Sequence, residues 1–160
     1  MSVQTGDTYK NFTLKNHRFE NVTLSDYVGK KNVVLLFFPF VNSGTCEKEL
    51  CQTRDSLEDY NKLDATVFGI SVDSPFAQKL WNEKLNFGFD LLSDFNKEVC
   101  KMYDVLDENW LPNKYGYQGV AKRSAFVIDK KGIIRYAEVL DDPGKEPDYQ
   151  KIKEVLATLD

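Results

Sequence analysis

The stretch Asn32–Lys62, NVVLLFFPFVNSGTCEKELCQTRDSLEDYNK, limits the choice of fold more than any other part of the chain. Within it, Val33–Phe38 is an unbroken apolar run rich in β-branched and aromatic residues, bounded by Lys31 and Pro39. A run of that length predicts a strand buried on both faces, the kind found in parallel sheets. Pro39 ends the strand, because proline lacks the N–H that a ladder needs. A loop over Phe40–Gly44 follows, and a helix opens at Thr45 or Cys46. On a helical wheel Cys46, Leu50, Thr53, Leu57 and Tyr60 form one stripe, the spacing of a core-facing side. Glu47, Lys48, Arg54, Asp55, Glu58 and Asp59 fall on the opposite side.

Cys46 therefore sits in the first turn of a helix, facing the sheet. Free N–H groups and the positive end of the helix dipole are found there, and both favour a thiolate over a thiol. The thiolate is the nucleophilic form of cysteine. An ordinary small core residue fits the same position, since buried cysteines are common.

The chain has 160 residues, 42% hydrophobic and 29% charged, which suits one globular domain over residues 1–160 with a substantial core. Net charge is −4 with the two signs interspersed. No basic patch marks a nucleic-acid or anionic-membrane partner. Neither an N-terminal apolar leader nor a membrane-spanning run stands out, so a cytoplasmic location is expected. Three cysteines, Cys46, Cys51 and Cys100, are too few and too odd in number for a secreted disulfide framework. With no Cys-x-x-Cys and one histidine, His17, neither a zinc site nor any other metal or cofactor is indicated.

The rest of the chain is expected to surround the central unit. Met1–Thr8 reads as a loose entry, and Tyr9–Leu14 and His17–Leu24 as a hairpin turning at Lys15-Asn16. His17 then lies in a strand, solvent-facing or hydrogen-bonded. Ser25 can cap a short helical turn closed by Gly29. Ala65–Val72 predicts a second parallel strand, and Ser74-Pro75 starts a helix to about Leu85 with Phe76, Leu80 and Trp81 inward. Phe89–Leu92 predicts a short strand, and Asp94 caps a helix to about Tyr103. Asp107–Gly119 reads as a long aromatic loop, either packed or presented to a partner. Ser124–Ile128 and Ile133–Val139 form a hairpin around Asp129-Lys130-Lys131-Gly132. Asp148 caps a last helix whose apolar face is Ile152, Val155, Leu156 and Leu159. This order predicts an α/β protein, a three-layer α/β/α sandwich on a mixed central sheet with an N-terminal hairpin extension.

Pro39-Phe40-Val41-Asn42-Ser43-Gly44-Thr45-Cys46 resembles the peroxiredoxin active-site motif, Pro-x-x-x-Thr/Ser-x-x-Cys. The likeness continues through Glu49, Gly69–Ser74, Leu91–Asp94 and Arg123–Asp129, covering nearly the whole chain in order. It implies a thioredoxin-like fold and a thiol-dependent peroxidase that reduces hydrogen peroxide and organic hydroperoxides through a sulfenic acid. On the matching positions Cys46 is the nucleophile and Ser43 supplies a hydroxyl. The N–H groups of Thr45 and Cys46 add fixed donors, Arg123 a permanent cation, and Pro39 a shield against water. Glu49 either orients an arginine or interacts with the helix dipole. Asn42 and Thr45 depart from apolar positions of the family, which bears on the preferred peroxide. The resemblance also implies a thiol reductant, such as a thioredoxin- or glutaredoxin-like protein, and a homodimer.

Cys51 follows Cys46 by five residues, as in the bacterial branch of the family whose resolving cysteine shares the helix. It lies about 140° round the wheel from Cys46, in the polar arc. In an intact helix the two Cα atoms are roughly 8–9 Å apart, whereas a disulfide needs them within about 7 Å. Resolution by Cys51 therefore requires the helix start to unwind. A one-cysteine peroxidase recycled by an external thiol, and a thioredoxin-like exchange or chaperone module, are the alternatives. The exchanger wants a second cysteine that Cys46-Glu47-Lys48-Glu49 lacks. Cys100 reads as a structural cysteine.

Overall fold

The computed structural model describes residues 3–159. In chain order the strands are β1 (Thr13–Asn16), β2 (Asn21–Thr23), β3 (Asn32–Phe37), β4 (Ala65–Ser71), β5 (Asp90–Ser93), β6 (Leu106–Asp107), β7 (Val120–Ala121), β8 (Ser124–Ile128) and β9 (Ile134–Val139). The helices are α1 (Gly44–Asp55), α2 (Leu57–Lys62), α3 (Pro75–Leu85), α4 (Glu98–Met102) and α5 (Tyr149–Ala157). Seven strands form one mixed sheet in the order β2-β1-β5-β4-β3-β8-β9, and β6 pairs with β7 apart from it. The apolar run lies inside the sheet as β3, parallel to β4 and antiparallel to β8, with every residue buried.

Burial on both faces of β3 divides the core in two. Val33, Leu35 and Phe37 point to one side, where Phe12, Val22, the α4 residues Val99 and Cys100, and Tyr103 just past α4 cover them. Val34 and Leu36 point to the other, against Leu50, Tyr60, Trp81, Ile152 and Leu156 from α1, α2, α3 and α5. The sheet is thus the middle layer of three, and Cys100 is a core residue. Gly69 of β4 brings α1 close to the sheet. A Cβ there would stand 2.9 Å from Leu91 Cδ2, 3.1 Å from Leu50 Cδ2 and 3.3 Å from Phe38 Cε1.

Several expected boundaries move, each for a local reason. The hairpin turns over His17–Glu20, not at Lys15-Asn16, because Asn16 Oδ1 accepts from the N–H groups of Arg18 and Glu20 at 2.9 and 3.0 Å. Phe19 takes φ 65° in that turn. His17 is consequently a buried turn residue, hydrogen-bonded to the Leu91 N–H through Nδ1 at 3.3 Å. The short 3-10 helix is Leu24–Asp26, with Thr23 and not Ser25 at its N-cap. The helix expected to carry the stripe from Cys46 to Tyr60 breaks at Ser56 into α1 and α2. Met1 and Ser2 of the expected loose entry lie outside the described residues. From Val3 onward the entry is pinned, with Val3 in the core and the Gly6 N–H on Ile134 O at 2.8 Å.

Two of the three apolar residues assigned inward on α3 face outward, Phe76 at 73% exposure and Leu80 at 68%. Gln78 sets the rotation of that helix. Its buried Nε2 donates to Ser71 Oγ at 3.0 Å and Leu92 O at 2.8 Å, so Gln78 and Trp81 occupy the inner face. The Ser74-Pro75 start holds, with Ser74 Oγ accepting from the Ala77 N–H. Asp94 and Asp148 accept first-turn N–H groups of α4 and α5. The 107–119 segment folds as a ribbon excursion in which Trp110, Tyr115 and Tyr117 stack in parallel.

Candidate active site

The C-terminal end of β3 is where the chemistry-bearing residues gather. Pro39 is buried just beyond the strand, and the loop then turns through Asn42, which adopts φ 66°. Asparagine tolerates that left-handed conformation better than most residues. Asp73, past the end of the neighbouring parallel strand β4, holds the loop by accepting from the Val41 N–H at 2.9 Å. On its outer side Phe40 meets Trp110 and Tyr117 edge-on, with ring centroids 5.2 and 5.9 Å away.

Ser43 occupies the N-cap position of α1 with extended backbone, but its hydroxyl makes no cap bond and donates to Phe40 O at 3.3 Å. The first intrahelical bond runs from the Glu47 N–H to Ser43 O. The N–H groups of Gly44, Thr45 and Cys46 therefore precede the helical ladder. Cys46 is fully buried in the first turn, and Glu49, one turn on, is fully buried beside it. The structure turns Glu49 inward, toward Arg123.

Arg123 arrives from across the sheet. Phe37 pairs with Ser124 between β3 and β8, which sets Arg123 level with Phe38, beside the strand end. Its side chain is only 1% exposed. Nη1 donates to Glu49 Oε1 at 2.7 Å, and Nη2 donates to Cys46 Sγ at 3.2 Å and to Pro143 O at 3.0 Å. The structure thus brings Cys46, Glu49 and Arg123 into direct contact, with Ser43 and Pro39 flanking them. Cys51 lies further along α1, away from that contact. It is half-buried against the core instead of fully exposed on the polar arc.

Electrostatics at the sulfur run against the helix-start expectation. Burial pushes the Cys46 thiol up, and this outweighs the opposing pulls of the Arg123 charge, the Ser43 hydroxyl and the Phe40 N–H. Burial likewise pushes Glu49 up, to about 7, against the pull of Arg123. Cys51 is also pushed up, first by burial. Sequence patterns missed the Pro143 carbonyl, since a backbone acceptor carries no residue-type signal. Asp73 was visible only as part of Gly69–Ser74. A roomier cleft of about 720 Å³ lies at the other end of β3, lined by Asn32, Asp129, Lys130 and Arg135, and contains no thiol. Among the described residues no group of three or more His, Cys, Asp or Glu side chains is placed to hold a metal ion.

A helix-start thiol thus lies under a buried arginine, with no second cysteine three residues on, at one end of a three-layer α/β/α sandwich. Residues 5–137 match the AhpC/TSA family. Alkyl hydroperoxide reductase E of Mycobacterium tuberculosis is 38% identical over 159 residues, 98% of each chain. A putative peroxiredoxin bcp of Coxiella burnetii is 38% identical over 136 residues, 84% of this chain and 87% of that one. The crystal structure of peroxidoxin BcpB from Mycobacterium tuberculosis superposes with a TM-score of 0.85 at 27% identity, covering 96% of both chains. The chain belongs to the AhpC/TSA family, the peroxiredoxins, and is a thiol-dependent peroxidase. Its substrate class is a peroxide and its electrons come from a thiol. Among the described residues no helix is long and apolar enough to cross a membrane.

Proposed function

We propose that Cys46 is the peroxidatic nucleophile and that Arg123, Ser43 and Pro39 form its pocket. The contact from Arg123 Nη2 to Cys46 Sγ carries this reading, because it sets a permanent cation on the only thiol in the first turn of α1. The Cys46 thiolate attacks one peroxide oxygen, forming an S–O bond as the O–O bond breaks. The other oxygen leaves with the electron pair, takes a proton and departs as water or an alcohol, and Cys46 is left as sulfenic acid. Arg123, with the N–H groups of Thr45 and Cys46, stabilises the charge that develops on the leaving oxygen. Ser43 orients the peroxide, and Glu49 holds the guanidinium in place. Cys46→Ser is expected to abolish peroxide turnover and keep the fold; normal turnover in that variant sinks the assignment.

Cys51 resolves the sulfenic acid. Its thiol attacks Cys46 sulfur, the S–O bond breaks, water leaves, and a disulfide forms. Both residues lie within α1, whose geometry holds them too far apart for that bond. The helix start therefore opens after oxidation. Thr53 Oγ1 bonds back to Glu49 O at 3.0 Å, a pattern that weakens helices, and α1 already ends at Ser56. Peptide mapping after one equivalent of peroxide is expected to find a Cys46–Cys51 linkage, replaced by persistent sulfenic acid in Cys51→Ser. Sulfenic acid persisting in the unmutated protein instead makes this a one-cysteine enzyme recycled by an external thiol. The reductant is a thioredoxin- or glutaredoxin-like protein, the location cytoplasmic, and the assembly a homodimer; the resemblance of this single domain to its family supports all three.

A further inference from the structure

We propose that Asp142 is a positioning residue for the peroxidatic site, acting through the Pro143 carbonyl on Arg123. This deepens the reading of Cys46 and Arg123 as the reactive pair. Arg123 Nη2 has two N–H bonds; it reaches Cys46 Sγ at 3.2 Å and Pro143 O at 3.0 Å. Glu49 takes Nη1 at 2.7 Å on the opposite side. A planar guanidinium gripped at both terminal nitrogens cannot rotate about its own axis. With Pro143 O in place, the second Nη2 hydrogen is aimed at sulfur.

The carbonyl is itself held by a turn built around Pro143. Asp142 Oδ1 accepts from the Gly144 N–H at 2.9 Å, and Asp142 O accepts from the Lys145 N–H at 3.1 Å. Both bonds span Pro143, and the first depends on the aspartate side chain, an Asx arrangement. The two ends of the loop are anchored separately. The Leu140 N–H bonds to Arg123 O at 2.9 Å, and the Asp148 N–H bonds to Glu138 Oε1 at 3.0 Å. Between those anchors Lys122 Nζ reaches Asp141 Oδ1 at 3.8 Å and Tyr149 OH reaches Glu146 Oε1 at 2.6 Å, but the Asp142 turn is the contact that closes directly around Pro143. Asp142 is exposed and touches neither Cys46 nor Arg123, so its influence passes through the backbone.

Asp142→Ala removes the acceptor, whereas Asp142→Asn keeps an oxygen in the same place and removes only the charge. Two measurements apply to each variant: the pH dependence of Cys46 alkylation in a Cys51→Ser background, and the rate of oxidation by hydrogen peroxide. Asp142→Ala is expected to raise the alkylation midpoint and slow oxidation about threefold to tenfold, the scale of one charge-assisted hydrogen bond misaligned. Asp142→Asn is expected to match the parent. Urea unfolding of both variants separates a lost turn from a lost fold. An Asp142→Ala profile identical to the parent overturns the proposal, as does an equal shift in both variants, which assigns the effect to charge. Alkylation needs no peroxide, so the proposal stands or falls on it even if the parent enzyme turns over no peroxide and the Cys46 assignment fails.

Discussion

Arg123 and Glu49 meet at 2.7 Å with both side chains shut away from water, and the same guanidinium reaches Cys46 Sγ at 3.2 Å. One cation is therefore shared between two acids. While Glu49 is protonated, Arg123 serves the sulfur alone; once Glu49 ionises, the thiolate must compete for it. Glu49 Oε2 has no hydrogen-bond partner, so a proton can rest there without breaking the contact from Nη1 to Oε1.

Replacing either member of that pair should move the sulfur in opposite directions. Arg123→Met is expected to raise the Cys46 titration midpoint and slow peroxide oxidation by about 100-fold or more, the scale of removing one donor aimed at developing charge. Glu49→Gln keeps an acceptor for Nη1 and leaves the cation to Cys46, so the midpoint falls. The parent's alkylation profile should show a shoulder near the Glu49 value of about 7, absent from Glu49→Gln. Stopped-flow oxidation and pH-dependent alkylation measure both effects; midpoints that move together contradict charge sharing.

Helix opening has its own signature. After oxidation, amide hydrogen exchange over Thr45–Cys51 should accelerate strongly, while β3 and β4 remain protected. Unchanged protection in the oxidised protein would rule out a bond between Cys46 and Cys51.

Gly69→Ala tests the seat of α1. The added methyl meets Leu91, Leu50 and Phe38 at 2.9–3.3 Å, closer than ordinary packing allows. Overpacking of this kind costs about 1–3 kcal/mol. The urea midpoint should drop accordingly, and because Leu50 lies one turn beyond Cys46, peroxide oxidation should slow as well. A variant as stable as the parent shows that the helix shifts freely.

Acid sensitivity should trace to His17. Burial, then the neighbouring Arg18 charge, lowers its pKa from 6.5, against weaker upward pulls from Asp90, the Leu91 backbone and Glu20. The unfolded chain then binds the proton more readily, so this contribution is complete above 6.5 and is lost as pH falls below that value and through the lower pKa of the fold. Glu49 has the opposite sign: raised to about 7 in the fold, it contributes fully below 4.5 and fades as pH rises through about 7. Urea midpoints at about pH 7.5 and about pH 5.5 in the parent and in His17→Gln isolate the first effect. Equal acid loss in both proteins absolves His17.

Much of the fold was legible because each signal was local. The buried strand, the Ser74-Pro75 start, the Asp148 cap and the Asp129–Gly132 turn are each written in a few adjacent residues. Misreadings arose where a polar side chain overrode an apolar pattern: Asn16 moved a turn, and Gln78 rotated α3 so that Phe76 and Leu80 face out. Within the site, Cys46 was legible from helix position, whereas Arg123 and Glu49 became legible only through resemblance. Burial of the sulfur depends on how neighbouring elements close over it, and this reverses the direction expected from the helix start.

The pairing of β8 against β3 has a consequence for how the enzyme comes into being. Arg123 follows Cys46 by 77 positions, so a chain still being synthesised carries the thiol long before its cation exists. Closing so long a loop is slow and entropically unfavourable until the strands register. Until Ser124 seats against Phe37, Cys46 has no guanidinium beside it. The contact between thiol and guanidinium therefore forms only when β8, late in the chain, takes its place in the sheet.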